Sequence, residues 1–447
     1  MASAADQLAS SLNFSAFGKA TELKKRLWFT LGALIVYRLG TYIPIPGIDP
    51  GILNDIFQQQ AGGILAMFNM FSGGALQRMT IFALNVMPYI SASIIMQLMT
   101  TVSPQFEQLK KEGESGRKKM NQYTRYLTVL LCIVQGYGIA VGLESMTGNS
   151  GSAVIDPGYF FRFTTVVTLV GGTMFLLWLG EQITQRGVGN GVSLIIFAGI
   201  VAALPGAVAQ ILELGRTGSM SPILIMGLIV GAVCLIGFIV FMERAQRRII
   251  VQYPKRQVGN RMFSGESSHL PLKLNTAGVI PPIFASSILL MPVTLASFSA
   301  AGGPLWLQDV TLWLRHGSWL YMFIYAAGII FFCFFYTSIV FNPADTAENL
   351  RKHGGFVPGI RPGTNTAQYL DYVLTRLTTV GALYLTFVCL MPEFLIADSQ
   401  IPFYLGGTSL LICVTVTMDT VSQIQSHLLA HQYEGLIKKA KLKGRRG

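Results

Sequence analysis

Ten apolar runs, each nearly free of charge, constrain this chain more than any other feature. They lie near Leu27–Ile43, Ala75–Thr101, Tyr126–Leu143, Phe163–Leu179, Val192–Val208, Ile223–Met242, Leu274–Phe298, Trp319–Phe341, Val373–Met391 and Phe403–Met418. A bilayer interior offers no water to backbone N–H and C=O groups, so a segment buried there has to satisfy them itself, as a helix does. Several runs fall short of the ~20 residues a spanning helix normally needs; short spans suit a thinned bundle that lines a cavity. Composition agrees, with 51% hydrophobic and 12% charged residues, against about 25% charged in soluble domains. The expected class is an all-α polytopic membrane protein. Residues 1–26 form a polar lead ending in Lys24-Lys25-Arg26, without the pattern of a cleavable signal.

The stretch from Gly62 to Thr101 is unusual within that plan. It opens with GGILAMFNMFSGG, closed at each end by a glycine pair, and runs directly into the second apolar run. About 10–14 apolar residues are too few to cross a bilayer and suit a re-entrant or buried piece. An amphipathic lid on the membrane surface is the simpler alternative.

Basic residues fix the expected orientation. The N-terminal lead and every second loop after it hold 28 Lys and Arg, the opposite loops 3, and Arg38 and Arg78 stand apart near span ends. That asymmetry places both termini in the cytoplasm, and with them most of the net charge of +12. Two of the cytoplasmic loops, 243–273 and 342–376, exceed ordinary connectors in length. The first mixes Arg247, Arg248, Lys255, Arg256 and Arg261 with the β-prone Ile249-Ile250-Val251. The second carries Phe356-Val357-Pro358 ahead of a glycine- and proline-rich turn with Arg361. Ordered basic loops suit an acidic protein or an RNA.

The chain lacks a phosphate-binding GxxxxGK[ST] loop, an HExxH helix and a GxSxG elbow. Gly187-Val188-Gly189-Asn190-Gly191 follows no strand and reads as a flexible turn opening the fifth span. His427 and His431 are four apart on an expected helix, in a tail best read as solvated; no metal or cofactor is expected. Cys132, Cys234, Cys333, Cys389 and Cys413 lie in separate apolar runs and form no disulfide or metal pattern. Ionisable side chains (Arg38, Arg78, Glu181, Asp419) stay at span ends, where a proton-coupled transporter would carry one at mid-membrane. Uncharged polar residues recur instead: Thr80, Asn85, Ser91, Ser93, Gln97, Thr128, Gln135, Asn275, Thr276, Ser286 and Ser287. Their hydrogen bonds between helices are each on the order of 0.6–2 kcal/mol, suiting ordinary packing or a seam that parts.

The motifs MPYISASIIMQL, KKEGESGRKKMNQYTRY, GEQITQRGVGNGVSLIIFAGI, ERAQRRI, LPLKLNTAGVIPPIFASS, FFCFFYT, FNPADTAENL, FVPGIRPG and FYLGGTSLLI occur in that order. With them the chain resembles the SecY/Sec61-alpha family of protein-conducting channel subunits across essentially its whole length. The resemblance implies ten transmembrane helices in two inverted pseudo-symmetric halves with a short re-entrant plug helix. By that scheme 1–26 is a cytoplasmic segment, 27–208 holds spans one to five with the plug at 62–74, 209–418 holds spans six to ten, and 419–447 is a cytoplasmic tail.

The resemblance also implies site residues. Gly63, Ile64, Leu65, Met67, Phe68, Met70 and Phe71 would form the plug. Val86, Val192, Ile196, Ile283 and Ile412, with Phe82 one turn before Val86, would form the pore ring. Ser91, Gln97, Thr128, Gln135, Asn275 and Thr276 would line a lateral gate between spans two, three, seven and eight. Pro281-Pro282 and Pro292 would loosen span seven. Arg247, Lys255, Arg256, Arg261 and above all Arg361 would dock the ribosome and the motor ATPase SecA. SecE-like and SecG-like subunits, signal sequences, nascent chains and lipid would be the other partners, in a bacterial cytoplasmic membrane. Such a chain hydrolyses nothing; a small-solute secondary transporter is the alternative of different class.

Overall fold

The computed structural model describes residues 21–59, 69, 72–145, 147–148, 151–218, 221–253, 256–258, 261–263, 267–299, 318–399 and 406–443. The elements run α1 (Thr21–Gly40), α2 (Pro50–Gln59), α3 (Met87–Val102), α4 (Pro104–Lys111), α5 (Glu114–Ser145), β1 (Thr147–Gly148), β2 (Gly151–Ser152), α6 (Tyr159–Arg186), α7 (Gly191–Arg216) and α8 (Pro222–Arg244). The chain continues as β3 (Gln246–Gln252), β4 (Arg256–Val258), β5 (Arg261–Phe263), β6 (Ser267–Lys273), α9 (Ile280–Ser299), α10 (Trp319–Val340), α11 (Pro343–Lys352), α12 (Thr364–Ser399) and α13 (Gly407–Lys443). Seven helices among the described residues are long and apolar enough to cross a membrane: α5, α6, α7, α8, α10, α12 and α13. Two shorter apolar helices, α3 and the start of α9, and the charge-flanked α1 account for the other apolar runs.

The chain divides into two compact units, one holding Met1–Gln210, Thr294–Pro304 and Ile412–Gly447, the other Ile211–Val293 and Leu305–Leu411. In the first, α5 packs against α3 and α6, and α1 against α6. Tyr37, Phe82 and Phe175 stack in series, with centroids 6.2 Å and 5.9 Å apart. Beside them a core of Ile45, Ile48, Leu53, Leu76, Met79, Leu84, Leu143, Val154, Phe161 and Leu169 joins the loop after α1 to α5 and α6. In the second unit α10 packs against α12, and Phe284 of α9 meets Phe332 and Tyr336 edge-on.

The second apolar run is not one helix. Residues 72–86 form successive turns, and α3 begins only at Met87, with Pro88 in its first turn. Proline has no N–H and its ring clashes with the carbonyl four residues back, so a helix arriving from upstream stops there. The turns still satisfy their backbone: Ile45 donates to the Met79 carbonyl at 2.9 Å and Ile81 to the Ile43 carbonyl at 3.1 Å. Met79 and Asn85 have φ of 44° and 49°, a left-handed conformation costing roughly 1–2 kcal/mol; the Asn85 side chain offsets part of that by accepting from the Val86 amide at 2.9 Å. At 16 residues, α3 is about 24 Å long by the helical rise, short of a ~30 Å hydrocarbon core.

Span seven is trimmed for the same reason. Leu274–Val279 are bends and turns, and α9 starts at Ile280, so Pro281-Pro282 occupy its first turn. There a missing N–H costs no hydrogen bond, so this pair starts the helix and does not loosen it; Pro292 falls inside. Span ten runs on without a break as α13 to Lys443, through most of what the sequence assigns to a tail.

Close helix approach depends on particular glycines. A Cβ on Gly191 would stand 1.8 Å from the Gly180 carbonyl oxygen, so the end of α6 and the start of α7 touch backbone to backbone. Gly191→Ala is expected to cut accumulation of membrane-inserted protein sharply. Gly206→Ala, in the same helix with nothing within 4 Å, should be neutral or stabilising by up to about 1 kcal/mol. Equal accumulation and melting of the two variants would refute this assignment of the α6–α7 contact.

Candidate functional site: an aliphatic constriction and a folded pair of basic loops

The plug residues Gly63, Ile64, Leu65, Met67, Phe68, Met70 and Phe71 lie outside the described residues. The flank after them is tightly held. Arg38 donates to the Gly73 carbonyl at 2.7 Å and Tyr37 to the Ser72 carbonyl at 3.4 Å. The Gln77 side chain accepts from Asn69 at 3.1 Å and donates to Asn54 of α2.

Of the ring candidates, Val192 and Ile196 are one helical turn apart on α7 and so share a face. Ile196 is buried and Val192 half-buried. Val86 is buried at the N-terminus of α3, and Ile412 is buried in the second turn of α13. Ile283, in the other unit, is half-buried in the first turn of α9. Phe82 is not a helical turn before Val86, because 80–86 is not helical. Its ring is stacked between Tyr37 and Phe175 and only 3% exposed.

Val192 also lines a cavity of about 300 Å3 with Tyr89, Asn121, Arg125, Glu181, Gln185 and Asn190. One wall is the Arg125–Glu181 pair, in which the Arg125 Nη2 lies 2.6 Å from each Glu181 oxygen. The cavity is polar, and its charge is already matched internally.

The gate candidates are placed as follows. Ser91 and Gln97 are half-buried on α3, with the Gln97 Oε1 sealed from solvent and lacking a hydrogen-bond partner. Thr128 is buried and spends its hydroxyl on the Thr124 carbonyl of its own helix at 2.7 Å. Gln135 is half-buried on α5. Asn275 is buried and ties the turn before α9 to the end of α8: it donates to Glu243 at 2.7 Å and to the Gly278 carbonyl at 3.1 Å, and accepts from the Gly278 amide at 3.1 Å. Thr276 donates to the Lys273 carbonyl at 3.2 Å.

The glycine string after α6 is pinned and far from flexible. Val188 donates to Thr30 at 3.1 Å, Gly189 to Gln423 at 2.8 Å and Gly191 to Thr184 at 2.8 Å. Val188 is buried with Leu23, against Leu27, Ile424 and Leu428. Its apolar side chain between glycines is the signal that sequence reading passed over.

The two long loops of the second unit fold together. β3 pairs antiparallel with β6, placing Ile249 opposite Leu270, and β4 pairs with β5. Gln252 and Phe356 exchange backbone hydrogen bonds at 2.9 Å and 3.0 Å. Ile249, Leu272, Val357, Leu370 and Val373 make a small core beneath. Arg247 is exposed on β3 and Arg361 is exposed between Gly359 and Gly363, whose φ values are 83° and 107°. Arg256 and Arg261 stand on β4 and β5, and Lys255 lies outside the described residues. On α4, in the loop before α5, Lys111 at 2.7 Å holds the Glu107 carboxylate below its usual range.

These features define a polytopic membrane protein in which buried and half-buried aliphatic groups stand on the spans and a folded basic platform is carried on two loops. The SecY family profile matches residues 80–421, and the chain belongs to the SecY family. It is 58% identical over 431 residues to the protein translocase subunit SecY of Escherichia coli K12, covering 96% of this chain and 97% of the relative. The Pseudomonas aeruginosa PAO1 subunit is 59% identical over 428 residues, covering 96% of each. Among solved structures, one described as a protein conducting channel aligns with a TM-score of 0.62 at 18% identity, over 91% of this chain and 92% of that one. Sec61 in a canine ribosome–channel complex aligns at 0.61 and 17%, over 91% and 92%. The fold is therefore the ten-span channel fold of that family.

Leu370 is fully buried under the paired loops. Leu370→Ala is expected to destabilise that platform by about 2–5 kcal/mol. Limited proteolysis of vesicles should then show faster cleavage in 243–273 and 342–376 with the spans intact. An unchanged cleavage rate would show that the small core does not hold the loops.

Proposed function

We propose that the chain is the pore-forming subunit of a bacterial protein translocase. It passes unfolded secretory polypeptides across the cytoplasmic membrane and releases apolar segments sideways into lipid. The observation that carries this reading is the near full-length identity to translocase subunits; these relatives are not solute transporters, and a channel subunit of this kind is not an enzyme. The physical logic supports it independently. A pore for every kind of side chain must bind none of them strongly, and aliphatic groups offer no fixed hydrogen bonds and dewet when the substrate leaves. Val86, Val192, Ile196, Ile283 and Ile412 are the ring, with Phe82 as an aromatic backing that holds the start of α3 in place. The segment 62–74 is the plug. Ser91, Gln97, Thr128, Gln135, Asn275 and Thr276 belong to the lateral gate, where Asn275 fixes the entry to span seven. Apolar segments of about 20 residues partition through the gate because hydrocarbon suits them better than a wet pore.

Both termini and the platform face the cytoplasm. Arg247, Lys255, Arg256, Arg261 and Arg361 dock the ribosome and SecA, and SecE-like and SecG-like subunits complete the complex. The ribosome is supported by likeness of fold to ribosome-bound channels.

Ile196→Asp would place a charge at the constriction and hydrate it. Planar-bilayer recordings should show a raised resting conductance; recordings matching wild type would remove Ile196 from the pore. Arg361→Glu reverses a guanidinium able to make bidentate bonds to a carboxylate or phosphate. It should impair SecA-driven translocation into inverted vesicles while abundance stays normal, since exposed substitutions usually stay within ~0.5 kcal/mol. Normal translocation, or loss only through degradation, would sink the docking role.

A further inference from the structure

Arg38 and Arg78, the two basic residues that the charge asymmetry leaves unexplained, come together on one ring. The guanidinium carbon of Arg38 is 5.1 Å and that of Arg78 4.3 Å from the centroid of Tyr42. Among the described residues, neither takes part in an ion pair. Cation–π attraction holds each guanidinium to the ring but leaves two like charges beside each other at the end of a membrane span. A carboxylate would relieve that repulsion, and among the described ion pairs none supplies one.

The donor inventory points the same way. A guanidinium carries five N–H donors. Arg38 spends donors on the Gly73 carbonyl at 2.7 Å and the Tyr42 hydroxyl at 3.2 Å, which leaves others unspent. The Nη1 of Arg78 is sealed from solvent without a hydrogen-bond partner. Tyr42 is 55% exposed, so the rim of the ring is open, and its hydroxyl, which accepts from Arg38 and Arg78, keeps its proton to donate. A phosphate bridging two guanidiniums sits about 4 Å from each carbon at ordinary charge-assisted distances. Both guanidiniums flank one ring, so a phosphate at its open rim is within reach of either long side chain, and rotation of the two side chains brings both onto it.

We infer that Arg38, Arg78 and the Tyr42 hydroxyl form a binding site for a phosphate group at the end of span one. Its occupant is the headgroup phosphate of an anionic membrane phospholipid or free inorganic phosphate. Guanidiniums at a span end can hold a phosphate headgroup by the same charge-assisted bonds. The site needs only that α1 cross a bilayer, and it stands or falls apart from the channel reading.

The test uses the full-length protein with its co-purifying subunits. It is reconstituted in phosphatidylglycerol–phosphatidylcholine bilayers, then extracted gently and weighed by native mass spectrometry. Wild type is expected to retain phosphatidylglycerol in preference to phosphatidylcholine, Arg78→Gln to retain one molecule fewer, and Arg78→Lys, which keeps the charge, to match wild type. In the second arm, phosphorus NMR of inorganic phosphate should show broadening by wild type that Arg78→Gln abolishes, if free phosphate is the occupant. Equal lipid retention by wild type and Arg78→Gln, together with no phosphate broadening, would overturn the site and leave the two arginines as packing groups. If Arg78→Gln fails to accumulate, wild type alone decides: no phosphatidylglycerol preference and no phosphate broadening overturn it.

Discussion

Every peptide group buried in a membrane must be satisfied by the chain itself, and the rest of this structure depends on that requirement. Where the sequence allows a continuous helix the requirement is met locally, as in α8, the most apolar of the spans. Where proline forbids one, at Pro88 and again at Pro281-Pro282, the chain before the helix must find partners elsewhere. Residues 72–86 find them in Ile43, Ile45, Tyr37 and Arg38. Irregular backbone at membrane depth is tolerable here because protein surrounds it, and that same surrounding makes the start of α3 a rigid place to stand Val86.

Rigidity also explains the short connections. The Gly187–Gly191 turn is fixed by three side chains from different helices, Thr30, Thr184 and Gln423. With Gly191 against Gly180, α7 cannot slide on α6, so the Val192–Ile196 face has a defined position. Aliphatic side chains such as Val192 and Ile196 make no directional bonds of their own, so their position has to come from such backbone contacts around them.

The paired loops show a soluble style of folding grafted onto a membrane protein. An antiparallel hairpin, a bridging pair of backbone hydrogen bonds and a small apolar core present Arg247 and Arg361 on an ordered surface. Fixed cations cost less entropy to pair than mobile ones.

Membrane class, the number of apolar runs, the strand at Ile249-Ile250-Val251 and the prominence of the two long loops were legible in the sequence. All of them follow from composition and local pattern, which act over a few residues. Hydropathy alone merged 75–86 with the helix behind it, because apolar turns and apolar helices have the same hydropathy; the Pro88 signal that separates them is a matter of backbone bonding. Only the tertiary structure decided that Phe82 lies between two rings, that Asn275 holds Glu243 and Gly278, that Val188 closes a turn, and that Arg38 and Arg78 both reach Tyr42. Each of these joins side chains to groups brought near by folding, and their partners are set by packing between elements, which no local stretch of sequence contains.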